Sequence, residues 1–152
     1  MNTARLKLRP WTSEDLEALH RVWSDPLTIW WGAHEQLEQT RALLEKILAQ
    51  DGWWAVEHEG EVVGNVFLRA SPRRPEVLEL GYHFRSAYWG KGFATEAALA
   101  LLETAKGKVV EAPVVPENVR SRRVMRKLGF SVAGQIMQAD RLHDLWIRSP
   151  SP

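Results

Sequence analysis

The sequence predicts a mixed α/β fold in a single domain over residues 1–152, and three observations carry that prediction. Segments of strand and helix periodicity alternate in the order β-α-α-β-β-β-α-β-α-β-β, with no internal repeat. A strand-helix-strand unit over 77–115 calls for a parallel pair joined by a right-handed crossover, while the hairpins around it call for antiparallel pairing. At 152 residues the chain is long enough to bury one core and too short for two.

Residues 6–9 alternate apolar and basic side chains before Pro10 and read as a short strand. Thr12-Ser13-Glu14-Asp15 offers a cap for a helix carrying Leu16, Leu19, His20 and Trp23, closed by Asp25-Pro26. An irregular aromatic stretch with Trp30-Trp31-Gly32 leads to a second helix whose apolar stripe is Leu37, Leu44, Ile47 and Leu48. Two strands at 53–58 and 61–69 flank a turn at Glu59-Gly60 and form a hairpin. After the polar loop at 71–75 comes a strand at 77–85, a glycine turn, a helix over 94–105, a tight link at Lys106-Gly107-Lys108 and a strand at 109–115. A last helix opens at Glu117 or Asn118 and ends at Leu128-Gly129. Residues 130–132 and 144–148 supply the closing strands, around a polar hairpin at 140–144.

The chemistry concentrates in Tyr88-Trp89-Gly90-Lys91-Gly92-Phe93-Ala94-Thr95-Glu96-Ala97, where a strand pattern gives way to a helix pattern. Glycines let the backbone approach a ligand closely, and the first N–H groups of the helix have no intrahelical partner. With the helix dipole, those donors favour an anionic diphosphate. Two glycines alone also make an ordinary turn. A second segment supplies context: Asn118-Val119-Arg120-Ser121-Arg122-Arg123-Val124-Met125-Arg126-Lys127-Leu128-Gly129-Phe130.

The pair resembles the W-G-K-G-(Y/F)-A-T-E-A and N-x-x-S-x-R-x-(L/M)-x-K-L-G-F blocks of the GCN5-related N-acetyltransferases (GNAT), closest to the Rim-type branch that acetylates ribosomal-protein N-termini. The resemblance implies a GNAT fold: a central mixed, mostly antiparallel sheet flanked by helices, with a parallel fourth and fifth strand that splay to admit a ligand. It implies acetyl-CoA as cofactor and direct attack by a primary amine in a ternary complex. Backbone amides over Gly90, Lys91, Gly92, Phe93, Ala94 and Thr95 would hold the CoA diphosphate. Main-chain groups of His83, Phe84 and Arg85, with Asn118 and Arg122, would hold the pantetheine arm. Trp89 stands where the broader family keeps Gln or Arg.

Glu79 falls at the strand register where histone-type relatives keep a general base, acting directly or through water, although it also reads as the exposed member of an alternating strand. His83, on the same face by alternation, is the reserve. Ser121 matches the position from which Rim-type relatives stabilise the departing thiolate, and also reads as a plain first-turn serine. The tyrosine acid that many relatives carry on a later helix has no counterpart, since Tyr82 and Tyr88 are the only tyrosines. Glu96 reads as a partner of the helix dipole. Trp30 and Trp31 line the acceptor pocket by resemblance, or belong to the core. The short link at 106–108 and short C-terminal part imply an open acceptor site.

Composition narrows the alternatives. With 26% charged residues and no long apolar run, the chain reads as a cytoplasmic protein without membrane insertion or signal peptide. It has no cysteine, which excludes a thiolate metal site and a cysteine nucleophile, and no metal is expected. A net charge of +1 provides no general field for nucleic acid, so the arginine run at 120–126 faces a ligand or solvent. The expected partner is an amine, either a small molecule or a protein N-terminus, with the protein a monomer or homodimer. A CoA-binding regulatory domain without turnover is the alternative from another class, and an RNA- or ribosome-binding module a third.

Overall fold

The computed structural model describes residues 1–28 and 33–150. Its elements are β1 (Lys7–Pro10), α1 (Leu16–Trp23), α2 (Leu37–Leu48), β2 (Trp53–His58), β3 (Glu61–Ala70), β4 (Leu78–Phe84), α3 (Phe93–Leu102), β5 (Val110–Val114), α4 (Val119–Lys127), β6 (Ser131–Gln138) and β7 (Arg141–Arg148). The seven strands form one sheet in the order β1-β2-β3-β4-β5-β7-β6. All neighbours are antiparallel except β4 and β5, as the crossover through α3 requires. This is the mixed α/β architecture that the sequence predicts.

Side-chain alternation packs the one sheet on both of its faces. One face carries Val56, Val66, Leu80, Phe84, Val110, Ala112 and Trp146, packed under α3 and α4 through Phe93, Ala97, Leu101 and Met125. The other carries Ala55 and Trp53, packed under α1 and α2 through Leu19, Val22, Trp23, Leu44 and Ile47. Leu37 and Leu48, expected on the buried stripe of α2, are exposed at the helix ends; Thr40 is buried instead.

The parallel pair is short. Only Leu78↔Val110 and Glu79↔Glu111 are in register, after which β4 and β5 diverge and leave a slot through the sheet. The antiparallel β3–β4 ladder turns the odd-numbered main-chain groups of β4 toward β3, as Arg85 N–H donating to Val63 O (2.9 Å) shows. The even-numbered groups, from Leu78 through Tyr82 to Phe84, face the slot.

The C-terminal strands are longer than the sequence suggests. β6 and β7 run over eight residues each and close through Ala139 and Asp140, both at positive φ (50° and 58°). Expectation placed strands only at 130–132 and 144–148; β6 is an edge strand exposed along nearly its whole length, so it lacks the apolar alternation that marks a half-buried strand.

Candidate active site

The glycine turn builds one wall of the slot. Gly90 and Gly92 sit at φ 78° and 81°, a region that L side chains rarely adopt, and Gly92 is the N-cap of α3. The first helical hydrogen bond runs from Glu96 N–H to Gly92 O (3.0 Å), which leaves the amides of Phe93, Ala94 and Thr95 without intrahelical acceptors. Space beside Gly90 is open, with no atom within 4 Å of where a Cβ would stand. A cavity of about 290 Å³ lies over these amides, with Arg120, Arg123 and Lys127 of α4 on its rim. Free donors, a helix N-terminus and a basic rim fit a diphosphate.

Glu96 fixes the position of that helix. It accepts hydrogen bonds from Thr3 Oγ1, from Arg5 N–H (2.9 Å) and from Arg5 Nε (2.8 Å), while Arg5 Nη1 donates to Lys91 O (2.8 Å). Burial opposes ionisation, yet those bonds hold the Glu96 carboxyl below its ordinary range.

A second cavity, of about 350 Å³, opens on the opposite sheet face, walled by Trp23, Trp53, Phe67 and His83. Tyr82, Asn118 and Ser121 line both cavities, so the two meet inside the slot. There the Tyr82 hydroxyl lies 2.6 Å from Ser121 Oγ, and burial pushes the phenol above its usual range. Asn118 caps α4, its Oδ1 accepting from Ser121 N–H (3.2 Å), and so holds the serine in place. Gly81 is needed across the sheet: a Cβ there would stand 2.2 Å from the Phe67 ring.

Glu79 sits at the fork itself, 4% exposed. Its Oε2 accepts from Arg69 Nε (3.2 Å) and Nη2 (2.9 Å), and its Oε1 from Arg73 Nη2 (2.6 Å). Its neighbour Glu111, fully buried, accepts from Ser71 Oγ, Arg73 Nη2 (3.0 Å) and Arg74 Nη2 (3.0 Å). Burial works against ionisation of Glu111, but these donors hold it below the ordinary carboxylate range. Two adjacent carboxylates are therefore offset by three arginines, two of them from the loop at 71–75. Glu79 is thus not the exposed member of an alternating strand.

His83 is set by a chain of hydrogen bonds. The Trp11 indole, which can only donate, bonds to Asn65 Oδ1 (2.8 Å). That orients Asn65 so that its Nδ2 donates to His83 Nδ1 (3.1 Å). His83 also packs against Trp23, ring centroids 4.3 Å apart and planes tilted by 41°, and burial pushes its pKa down to about 3. It is a neutral ring with its proton on Nε2.

Of the residues singled out from sequence, Gly90, Gly92, Phe93, Ala94, Thr95, Asn118 and Ser121 come together around the first cavity. Phe84 lines it too, though its carbonyl is occupied by Trp89 Nε1 (2.9 Å). His83 and Glu79 line the second cavity. Arg85 does neither: its N–H is bonded to Val63 and its guanidinium stacks on Tyr88 (5.4 Å). Arg122 turns toward Pro116 O (3.5 Å), and Arg120 and Arg123 line the cavity in its stead. Lys91 contributes its carbonyl to Arg5, and Trp30 and Trp31 lie outside the described residues. Sequence reasoning missed Tyr82 and His143; for Tyr82 the signal was its position on the opposite face of β4 from Glu79.

A sheet split between two parallel strands, with an anion cradle on one side of the split and a second cavity on the other, defines an acyl-group transferase of the acyl-CoA type. The chain belongs to the GNAT acetyltransferases: the family model described as "Acetyltransferase (GNAT) domain" matches residues 5–131. It is 29% identical to the uncharacterized N-acetyltransferase p20 of Bacillus licheniformis over 91% of this chain and 86% of that protein. Identity to the uncharacterized N-acetyltransferase YoaA of Bacillus subtilis is 26%, with the same coverage. Among solved structures, a GNAT-family acetyltransferase from Bacillus anthracis superposes with a TM-score of 0.80 at 27% identity, covering 97% of this chain and 95% of that one. The aminoglycoside acetyltransferase AAC(6')-Ib in complex with coenzyme A shares the fold (TM-score 0.80, 22% identity, 95% and 94% covered). The protein is accordingly an acetyl-CoA-dependent N-acetyltransferase. No described helix is long and apolar enough to cross a membrane.

Proposed function

We propose that the protein moves the acetyl group of acetyl-CoA to a primary amine by direct attack in a ternary complex, with both substrates bound from opposite faces of the sheet. The observation that carries this reading is the meeting of the two cavities at Tyr82, Asn118 and Ser121. Bound there, acetyl-CoA supplies an activated acetyl thioester.

The chain's own groups divide the work. Amides over 90–95 bind the diphosphate, aided by Arg120, Arg123 and Lys127. Asn118 and the slot-facing main chain of Tyr82 and Phe84 orient the pantetheine arm. The Ser121–Tyr82 hydroxyl pair stabilises negative charge on the departing sulfur. Glu79, whose oxygens are both taken by guanidiniums, anchors Arg69 at the wall of the acceptor cavity.

The acceptor is a small-molecule amine or a protein N-terminus, the latter being the Rim-type substrate. A ribosomal-protein-S5-alanine acetyltransferase from Vibrio fischeri shares the fold (TM-score 0.76, 19% identity, 98% and 95% covered), which is in keeping with that branch. Aromatic walls and a neutralised acid favour an amine on an apolar or planar body over a polycation.

Initial-velocity kinetics test the reading, with free thiol measured against both substrates. Intersecting double-reciprocal lines are expected; parallel lines would point to an acetylated enzyme and defeat direct transfer. An unresponsive amine panel, with acetyl-CoA still bound, would favour the regulatory domain.

A further inference from the structure

A primary amine reaches an enzyme mostly as its ammonium and must lose a proton before its nitrogen attacks a carbonyl. Three side chains on the acceptor side of the slot are candidates to take that proton: Glu79, His83 and His143. Both oxygens of Glu79 already accept guanidinium N–H groups. The lone pair of His83 lies on Nδ1 and is engaged by Asn65, so its Nε2 is a donor. His143 is set the other way. Its Nδ1 lies 2.9 Å from Arg141 O, and because a carbonyl only accepts, Nδ1 must carry the hydrogen. The neutral ring's lone pair is therefore on Nε2, which makes no hydrogen bond among the described residues. The side chain is 8% exposed, lines the acceptor cavity, and projects from β7 on the same sheet face as Glu79 and Glu111.

We propose that His143 is the general base for the incoming amine, with Nε2 as the proton acceptor. This rests on the acetyl-transfer reading above. The ammonium gives one proton to Nε2, and the freed nitrogen lone pair forms the C–N bond as the C–S bond breaks and its electron pair leaves on sulfur. The second nitrogen proton passes through the Ser121–Tyr82 hydroxyl pair to that sulfur. Products are the amide and the free thiol, and His143 returns its proton to water. His83, by contrast, carries its proton on Nε2 and has no lone pair left to take another.

Two measurements decide it. In the ligand-free protein, nitrogen-15 spectra of the histidine rings should show the neutral His143 protonated at Nδ1 and bare at Nε2, and His83 the reverse. A proton on Nε2 of neutral His143 overturns the proposal without any variant having to fold. The second is kinetic: His143→Gln should lower kcat by about 10²- to 10⁴-fold with acetyl-CoA affinity unchanged. The loss should shrink for a weakly basic acceptor that is already neutral at the assay pH. A variant within about twofold of the parent, or an equal loss for every amine, defeats the base and leaves acetyl transfer standing. A parent that binds acetyl-CoA yet acetylates no amine defeats both.

Discussion

Replacing Glu79 by glutamine separates an anchoring role from a catalytic one. The substituted side chain would keep one carbonyl oxygen for one arginine, but its amide would turn N–H groups toward the other guanidinium. The Glu79 side chain is 5% exposed, while those of Arg69 and Arg73 are 32% and 28% exposed. Removing one partner of a buried ion pair costs about 3–5 kcal/mol. Here the arginines re-solvate in part and glutamine retains an acceptor, so the expected loss is about 2–3 kcal/mol. For a chain of this size each kcal/mol lowers Tm by about 2–4 °C, which gives a drop of about 4–12 °C in a calorimetric or circular-dichroism melt. The double variant with Arg69→Gln should lose less than the sum of the single variants, by at least about 0.5 kcal/mol. Acetyl-CoA affinity should hold, since Glu79 lies outside the diphosphate cavity, and kcat should fall by about tenfold or less as Arg69 loosens. An unshifted melt with a kcat loss of about 10²-fold or more would refute this reasoning and restore Glu79 as the base.

Tyr82→Phe removes the hydroxyl 2.6 Å from Ser121 Oγ and should lower kcat by about 10²-fold with little change in acetyl-CoA affinity, read by single-turnover thiol release. Because burial raises the phenol's pKa, the parent should show no alkaline loss of rate from Tyr82 up to its ordinary value of 10.0. Gly81→Ala would force the Phe67 ring aside and should raise KM for the amine more than that for acetyl-CoA. Glu96 has a folded-state pKa below its ordinary 4.5, so its contribution to stability is complete above that pH and is lost as pH falls below it. Melts from about pH 7 to about pH 3 should therefore show a smaller acid-induced decline in Glu96→Gln than in the parent.

The parts of the molecule that were legible in sequence are those whose signal is local. The hairpin through Glu59-Gly60 and the strand at 53–58 lie where the turn residues and the run of strand-forming side chains put them, both signals being local. The glycine turn was readable for the same reason: positive φ at Gly90 and Gly92 is a demand on single residues. What was hidden depends on register between strands distant in sequence. His143 enters the second cavity because β7 inserts between β5 and β6, and Tyr82 reaches Ser121 because β4 and α4 flank one slot. Arg73 and Arg74 read as a polar loop; only the pairing of Glu79 with Glu111 gives them anions to bind. The closing hairpin was read with strands too short and its turn too late because Ala139-Asp140 is not the Asn-Gly or Asp-Gly signal that marks a tight turn.

The pair at the fork has a consequence for ligand binding itself. Arginines that clasp the carboxylates of Glu79 and Glu111 fasten the last in-register pair of the two strands, so the root of the slot is fixed before any ligand arrives. A binding site that must first open is occupied less tightly, in proportion to how rarely it is open. This one is held open by its own fold. The free energy of cofactor binding is then available for orienting the reacting groups, and the buried charges of the folded chain give rigidity at the single point where the sheet comes apart.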